Sequence, residues 1–272
     1  MLRKNMLNNL IFDRELLSKR KIRAARSLAK DDFLIKRSFQ EIKEKLSEMN
    51  RDFSVVLNLG ARDGYNFLEL RDIRGAKKIV ETTLDLSLLK NDNSSIKIVM
   101  DEENIAFADN KFDLIISVLN LHSVNDLPGC FIRLKESLKP NGVLIASMFG
   151  ENNLFQLGQS LMNAELDVFS GMSPRGMPSI RIDQLGGLLQ RAGFILPVVD
   201  SDNVEAHYKH PLDLIRDLRD MGETNVMFHR NKAYLGQKFW NKFVEFYIRD
   251  FSTDNSEVIA NFDILNLIAL KG

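Results

Sequence analysis

Three short stretches carry side chains whose type and spacing suit a nucleoside ligand. The first, Leu59-Gly60-Ala61-Arg62-Asp63-Gly64, follows directly on an apolar run. Gly60 allows a tight backbone turn there, and Gly64 allows the next helix to begin close to a ligand. About twenty residues further on, Thr83-Leu84-Asp85-Leu86-Ser87 places a carboxylate that can accept hydrogen bonds from two ribose hydroxyls, as in dinucleotide sites. The third stretch, Met100-Asp101-Glu102, ends another apolar run with acidic groups able to accept from an adenine amino group. Each has a plainer alternative: Asp85 suits a helix N-cap and Asp101 a turn cap. Order and spacing together favour the ligand.

Other reactive side chains are sparse. Of the four histidines only His122 stands at the end of an apolar run near this constellation, after Asn120. Its titration range suits a general base, although a packed structural histidine is the competing reading. His207, His210 and His229 show no metal-ligand spacing, and the single cysteine, Cys130, excludes a disulfide framework and a cysteine-built metal centre, so no metal site is expected. Ser170–Ser179 (SGMSPRGMPS) reads as a loop, either a lid or a simple connection. If it is a lid, Met172 and Arg175 contact substrate, with Arg175 suited to a carboxylate, and Glu223 faces the same cleft.

The elements that must hold these groups are legible as alternating runs. Ser54–Leu59, Lys78–Thr83, Ile96–Met100, Phe112–Val118 and Val143–Met148 are rich in Val, Ile and Leu without polar alternation, which suits parallel strands covered on both faces. Helices are expected at Tyr65–Arg71, Leu86–Lys90 and Leu127–Leu138, the last stopped by Pro140-Asn141-Gly142. The alternation predicts a doubly wound, mostly parallel α/β sheet. Ahead of it, Ile35, Phe39, Ile42, Leu46 and Met49 form one face of a helix starting at Asp31-Asp32. Beyond Met148 the pattern predicts helices at Glu151–Leu166, Arg181–Ala192, Pro211–Met221 and Lys238–Phe251, with strands at Phe194–Val199 and Val258–Leu270. The organisation read from this is a basic arm and helix over 1–50 and one domain over 51–272, with an insertion at about 151–192 after the fifth strand, lid-like helices at about 208–255 and a last strand at about 258–270.

Composition sets the outer limits. The chain has 272 residues, 44% hydrophobic and 27% charged, enough for a sizeable core. With 37 basic and 37 acidic residues it is not a protein that coats nucleic acid: no DNA partner is expected, and RNA rests only on the basic arm. The balance is uneven, because residues 1–30 hold nine basic side chains against two acids. Such an arm can clamp an acidic partner or an anionic membrane surface, or form a solvated helix packed on its own body. No apolar run approaches the roughly 20 residues of a membrane span, and no signal-peptide pattern opens the chain, so a cytoplasmic address is expected.

Between Val55 and Met148 the segments VVLNLGARDG, TTLDLS, MDEENIAFADNKFDLIIS, FDLIISVLNLHSVNDLP and LKPNGVLIASMF resemble the class I S-adenosylmethionine-dependent methyltransferases, which have a Rossmann-like fold. The resemblance implies S-adenosylmethionine as cofactor. It implies that Gly60, Ala61, Arg62 and Gly64 lie at the methionine end, Asp85 and Leu86 at the ribose, Asp101 and Glu102 at the adenine, and Asn120 and His122 towards the methyl group and substrate. Further blocks outside that core, IFDRELLSKRKIRAA, SMFGENNLFQL, FSGMSPRGMPS, DQLGGLLQRAGF and DLRDMGETN, resemble the mitochondrial complex I assembly factor methyltransferase-like family and its α-proteobacterial relatives. That resemblance implies action on an NADH dehydrogenase subunit, by methylation or by arginine hydroxylation. The related malonyl-carrier-protein O-methyltransferase of biotin synthesis, with an acyl carrier protein as partner, is the alternative. Two positions depart from the family pattern: Asn58 stands for an aspartate, and Arg62 for a glycine. Arg62 is tolerated only if its backbone avoids positive φ and its side chain turns away. These departures support a third reading, an assembly chaperone that has lost the cofactor.

Overall fold

The computed structural model describes residues 10–26, 33–62, 70–89 and 95–272. Within them lie seven strands: β1 (Val55–Asn58), β2 (Lys78–Thr83), β3 (Ile96–Val99), β4 (Phe112–Ser117), β5 (Leu138–Phe149), β6 (Phe194–Tyr208) and β7 (Val258–Lys271). They form one sheet in the order β3-β2-β1-β4-β5-β7-β6. β1 is parallel to both its neighbours, with Asn58 opposite Glu81 of β2 and Ile116 of β4. The β2–β3 and β4–β5 pairs are parallel as well. The chain steps outward from β1 to β3 and then returns to the far side of β1, so strand order reverses between β1 and β4. In a doubly wound sheet that is where a crevice opens at the carboxyl ends of the strands. The fold is therefore the Rossmann-like, mostly parallel sheet expected from the apolar runs.

The chain divides into two compact units. The first contains Ala25–Gly150, Ile180–Ser201 and Leu265–Gly272, and so holds β1 to β5. Its helices are α2 (Phe33–Glu48), α3 (Leu127–Ser137) and α5 (Ile182–Arg191). α2 buries Ile35, Phe39, Ile42 and Leu46 of the predicted stripe together with Leu34 and Ser38, while Met49, the last residue of that stripe, lies past the helix end and is half-buried. Asp126 caps α3 by accepting from the Gly129 N–H at 2.9 Å, with Pro128 in the first turn, where its missing N–H costs nothing. Leu57, Ile115, Phe131, Leu134, Leu144 and Leu189 meet in the core of this unit. Each is fully buried, a contribution of about 1.5–3 kcal/mol per side chain.

The second unit contains Met1–Ala24, Glu151–Ser179 and Asp202–Ile264. It carries most of α1 (Arg14–Arg26), together with α4 (Phe155–Phe169), α6 (Pro211–Asp220) and α7 (Gly236–Phe251). Phe239, Phe243 and Tyr247 recur every four residues on α7 and are completely buried. Phe169 of α4 stacks on Phe239 at 6.1 Å, and Phe155 meets Phe251 edge-on at 5.9 Å. The basic helix α1 packs on its own unit. Phe12 pairs with Met227, Arg20 donates to the Thr224 hydroxyl at 2.7 Å and to the Asn225 carbonyl, and Arg230 pairs with Asp13 at 3.4 Å. Lys19, Arg23 and Arg26 remain exposed. Among the described residues no helix is long and apolar enough to cross a membrane.

Four expectations on elements change. The helix expected at Leu86–Lys90 is a single 3₁₀ turn, Leu86–Leu88, because Leu89 already has extended backbone. Pro140-Asn141-Gly142, read as a stop, lies inside β5: Asn141 has φ +61°, and the register with β4 jumps from Phe112↔Leu138 to Leu114↔Val143. The turn residues make an excursion in the strand instead of preceding it. β6 continues past Val199 to Tyr208, because an edge strand with an exposed face tolerates the polar residues that masked it. The helix expected from Glu151 begins at Phe155, after a turn closed by Leu154 at φ +55°. Most of the helix expected at Tyr65–Arg71, the Asp31-Asp32 helix start and Lys90 lie outside the described residues.

Candidate functional site

The crevice side of the first unit is organised by a small polar network. Because β1 and β2 are parallel and in register, Asn58 and Glu81 point the same way, and the Asn58 amide donates to Glu81 Oε1 at 3.4 Å. The Ser95 hydroxyl donates to the other Glu81 oxygen at 2.5 Å, and Glu81 is only 1% exposed. Asn58 thus stands where an aspartate would repel a buried carboxyl group, which gives the departure from the family pattern a local cause. After β1 the loop is tied to β2: Gly60 N–H reaches the Thr82 hydroxyl at 3.3 Å and Ala61 N–H the Thr82 carbonyl at 2.7 Å.

Gly60 has φ +71°, and a Cβ added there would fall 2.1 Å from Asn120 Nδ2. Asn120 itself is fully buried and donates to Glu102 Oε1 at 2.8 Å. So Gly60, Asn120 and Glu102 form one packed cluster across the ends of β1, β3 and β4. Arg62 reaches the residue before Asn120. Its backbone is not in the left-handed region, so the position does not require glycine, and its Nη2 donates to the Leu119 carbonyl at 3.0 Å. Leu119 is itself left-handed, at φ +43°, a conformation that costs a non-glycine residue about 1–2 kcal/mol. The Ser147 hydroxyl accepts its N–H at 3.1 Å and Arg62 takes its carbonyl, which holds the turn that aims Asn120 at Gly60.

The acids at the ends of β2 and β3 differ in access. Asp85 is partly exposed and caps a one-turn 3₁₀ helix, Leu86–Leu88, by accepting from Ser87 N–H at 2.8 Å. Hydrogen bonds from Ser87 hold its carboxyl below the ordinary value, so it is an ionised acceptor at neutral pH. Leu86 is exposed beside it. Asp101 is partly exposed and accepts from Glu103 N–H at 3.0 Å, whereas Glu102 is 1% exposed and turned to Asn120. His122 lies in a second 3₁₀ turn, 8% exposed, its ring centroid 4.7 Å from that of Phe149. Gly64 lies outside the described residues.

The residues expected to contact substrate belong to the second unit. Arg175 Nη2 pairs with Glu165 Oε1 at 2.6 Å, with side chains 16% and 5% exposed, and its guanidinium lies over the Phe239 ring at 5.4 Å. Ser173 donates its N–H to the same carboxylate at 3.0 Å and its hydroxyl as well. Burial pushes the Glu165 carboxyl up, but the hydrogen bonds from Arg175 and Ser173 outweigh it, and its pKa lies below the ordinary value. Glu165, Arg175, Met172, Met162 and Pro174 line a cavity of about 370 Å³. Glu223 is not among its lining residues; its N–H closes the end of α6 on the Leu218 carbonyl at 2.8 Å. Among the described residues, no three His, Cys, Asp or Glu side chains converge to hold a metal ion.

Residues 31–196 match the family model described as a methyltransferase domain. The chain is also 36% identical over 267 residues to the mitochondrial arginine-hydroxylase NDUFAF5 of Mus musculus, covering 96% of this chain and 77% of that one. This chain belongs to the methyltransferase-domain family. Within it, the long match to NDUFAF5 identifies the branch, and it runs through both units. A malonyl-[acyl-carrier protein] O-methyltransferase of Gallionella capsiferriformans is 23% identical over 256 residues, 89% of this chain and 86% of that one. Among solved structures, the YcgJ protein of Bacillus subtilis superposes with a TM-score of 0.60 at 12% identity, over 87% of this chain and 98% of that one, a likeness of fold.

Four residues of these networks escaped sequence reading. Glu81 and Thr82 sit inside a strand, where a side chain serving the neighbouring loop looks like any strand residue. Ser147 is one small residue in an apolar run. Glu165 lies ten residues from Arg175 on a helix, and only the fold of the intervening loop pairs them. The available signal was a carboxylate on the buried face of a helix, which implies a cation nearby.

Proposed function

We propose that the protein binds S-adenosylmethionine at the carboxyl ends of β1 to β4 and acts on a protein substrate, an arginine-bearing subunit of an NADH dehydrogenase. The single observation that carries the substrate reading is the NDUFAF5 match at 36% identity across 96% of the chain. Support for the cofactor comes from the acceptor set: an ionised, partly exposed Asp85 for ribose hydroxyls, and Asp101 for the adenine amino group. Glu102, buried against Asn120, acts as a positioning residue behind them. Gly60, Ala61 and Arg62 form the floor at the methionine end, and Leu86 lies against the nucleoside. Bound there, the cofactor supplies an activated methyl group on a sulfonium centre. The chain's own work is to hold an acceptor in line and exclude water, so most of the rate gain comes from positioning. His122, packed on Phe149 after β4, is the group available to take a proton in that reaction. A bacterial cytoplasmic location fits this reading.

The test is mass spectrometry of NADH dehydrogenase subunits from cells with and without the gene. An arginine carrying an added methyl group or an added oxygen atom only when the gene is present supports the proposal and names the reaction. Unmodified subunits in both strains refute it. The match to the malonyl-[acyl-carrier protein] O-methyltransferase favours a second reading, methylation of a carrier-bound carboxylate. Rescue of biotin-free growth in a strain lacking that enzyme decides for it. An assembly chaperone without cofactor is left if neither assay responds.

A further inference from the structure

Arg62 lies in the loop after β1, and charge is distributed unevenly around it. β2 and β3 end in carboxylates, the ionised Asp85 and the partly exposed Asp101. The loop after β1 supplies a cation, the half-buried Arg62, whose Nη2 rests on the Leu119 carbonyl after β4 at 3.0 Å. That bond carries the side chain from the end of β1 to the end of β4, across the switch point. A ligand matched to this pattern presents hydroxyl and amino donors at one end and an anion at the other. S-adenosylmethionine has that shape, with ribose and adenine donors at one end and an α-carboxylate at the other.

We propose that Arg62 is a carboxylate anchor for the amino-acid end of the cofactor. The inference rests on the cofactor reading above and adds a residue whose charge selects for the intact amino-acid tail. Its planar guanidinium forms charge-assisted hydrogen bonds to a carboxylate, while the Leu119 contact fixes where it is held. The non-positive φ at this position is what allows a long side chain there without backbone strain.

The test is calorimetric titration with two ligands that differ only at that end. S-adenosylhomocysteine keeps the carboxylate and ammonium groups; 5′-methylthioadenosine lacks both. In Arg62→Ala the affinity for S-adenosylhomocysteine falls by about ten- to a hundredfold, the weight of a charge-assisted hydrogen bond, and that for 5′-methylthioadenosine is unchanged. Arg62→Gln keeps a donor for the Leu119 carbonyl without the charge and shows the same selective loss, and Arg62→Lys retains part of the preference. Urea midpoints confirm that each variant folds. Equal weakening of both ligands in Arg62→Ala, with recovery in Arg62→Gln, overturns the proposal and makes the arginine a loop brace. Tighter binding of both ligands in Arg62→Ala also overturns it and makes the arginine a plug. If the wild-type protein binds neither ligand, the cofactor reading itself fails.

Discussion

Replacing Gly60 by alanine tests how closely the loop after β1 packs against Asn120. Two costs follow from the structure. The first is conformational: φ is +71° at Gly60, and an L-residue there loses about 1–2 kcal/mol. The second is steric, because the new Cβ falls 2.1 Å from Asn120 Nδ2 and 2.3 Å from its Cγ. The Asn120 side chain must then leave Glu102, and an unsatisfied buried polar group costs about 1–3 kcal/mol. Gly60→Ala therefore destabilises the protein by about 2–5 kcal/mol, read from urea midpoints at constant m. The nearest atoms all belong to the Asn120 side chain beyond Cβ. In an Asn120→Ala background the same substitution costs only the conformational share, and the double-mutant cycle shows a coupling of about 1–3 kcal/mol. A penalty for Gly60→Ala that is the same in both backgrounds refutes the cluster, and one below 0.5 kcal/mol, about the scale of a neutral surface substitution, refutes the backbone argument as well.

Other outcomes follow from the remaining networks. Asn58→Asp sets a second carboxyl group against Glu81 and costs about 1–3 kcal/mol, regained in the Asn58→Asp/Glu81→Gln double variant; thermal unfolding of the four proteins checks this. Arg175→Met strands the buried Glu165 carboxylate and costs on the order of 3 kcal/mol, and pairing it with Glu165→Met recovers much of that. Because the folded pKa of Glu165 is depressed, its ionised form adds stability above its ordinary value of 4.5, and that share is lost as pH falls below it. The stability difference between wild type and Glu165→Gln accordingly shrinks in denaturation curves taken through that range. Leu119→Gly relieves about 1–2 kcal/mol of left-handed strain but deletes a buried side chain, 2% exposed, so stability falls by about 1–3 kcal/mol net in urea denaturation, and S-adenosylhomocysteine binds more weakly because Asn120 is less firmly aimed.

The strands that build the crevice are legible because burial on both faces demands apolar runs, Val55-Val56-Leu57 in β1 and Leu114-Ile115-Ile116 in β4; β2 offers only Ile79-Val80 before Glu81. β6 was read short, since its polar half has one face in water and no apolar run to mark it. Asp85 was placed correctly at a strand end by spacing alone. Its cap on Ser87 and its place beside the crevice turn out to be compatible, since a cap uses one oxygen of a two-oxygen group. Glu102 looked equivalent to Asp101 in sequence, and only the fold shows one turned inward to Asn120 and the other outward. The reach of Arg62 to Leu119 joins loops 57 residues apart and has no local signature. The Arg175–Glu165 pair is hidden for a related reason: a charge in a Gly/Pro/Ser-rich loop looks solvated until the loop folds over a buried acid.

The proposed nucleoside cofactor, bound at the carboxyl ends of β1 to β4, depends on Asp85. The most direct measurement is thermal unfolding of the wild-type protein and Asp85→Ala with and without S-adenosylhomocysteine. At a hundred times its dissociation constant the ligand adds about 2.7 kcal/mol to the wild type. The account predicts that shift in the wild type and its loss in Asp85→Ala, with the ligand-free unfolding temperatures close together. No stabilisation of the wild type at saturating ligand, or an undiminished shift in Asp85→Ala, contradicts it.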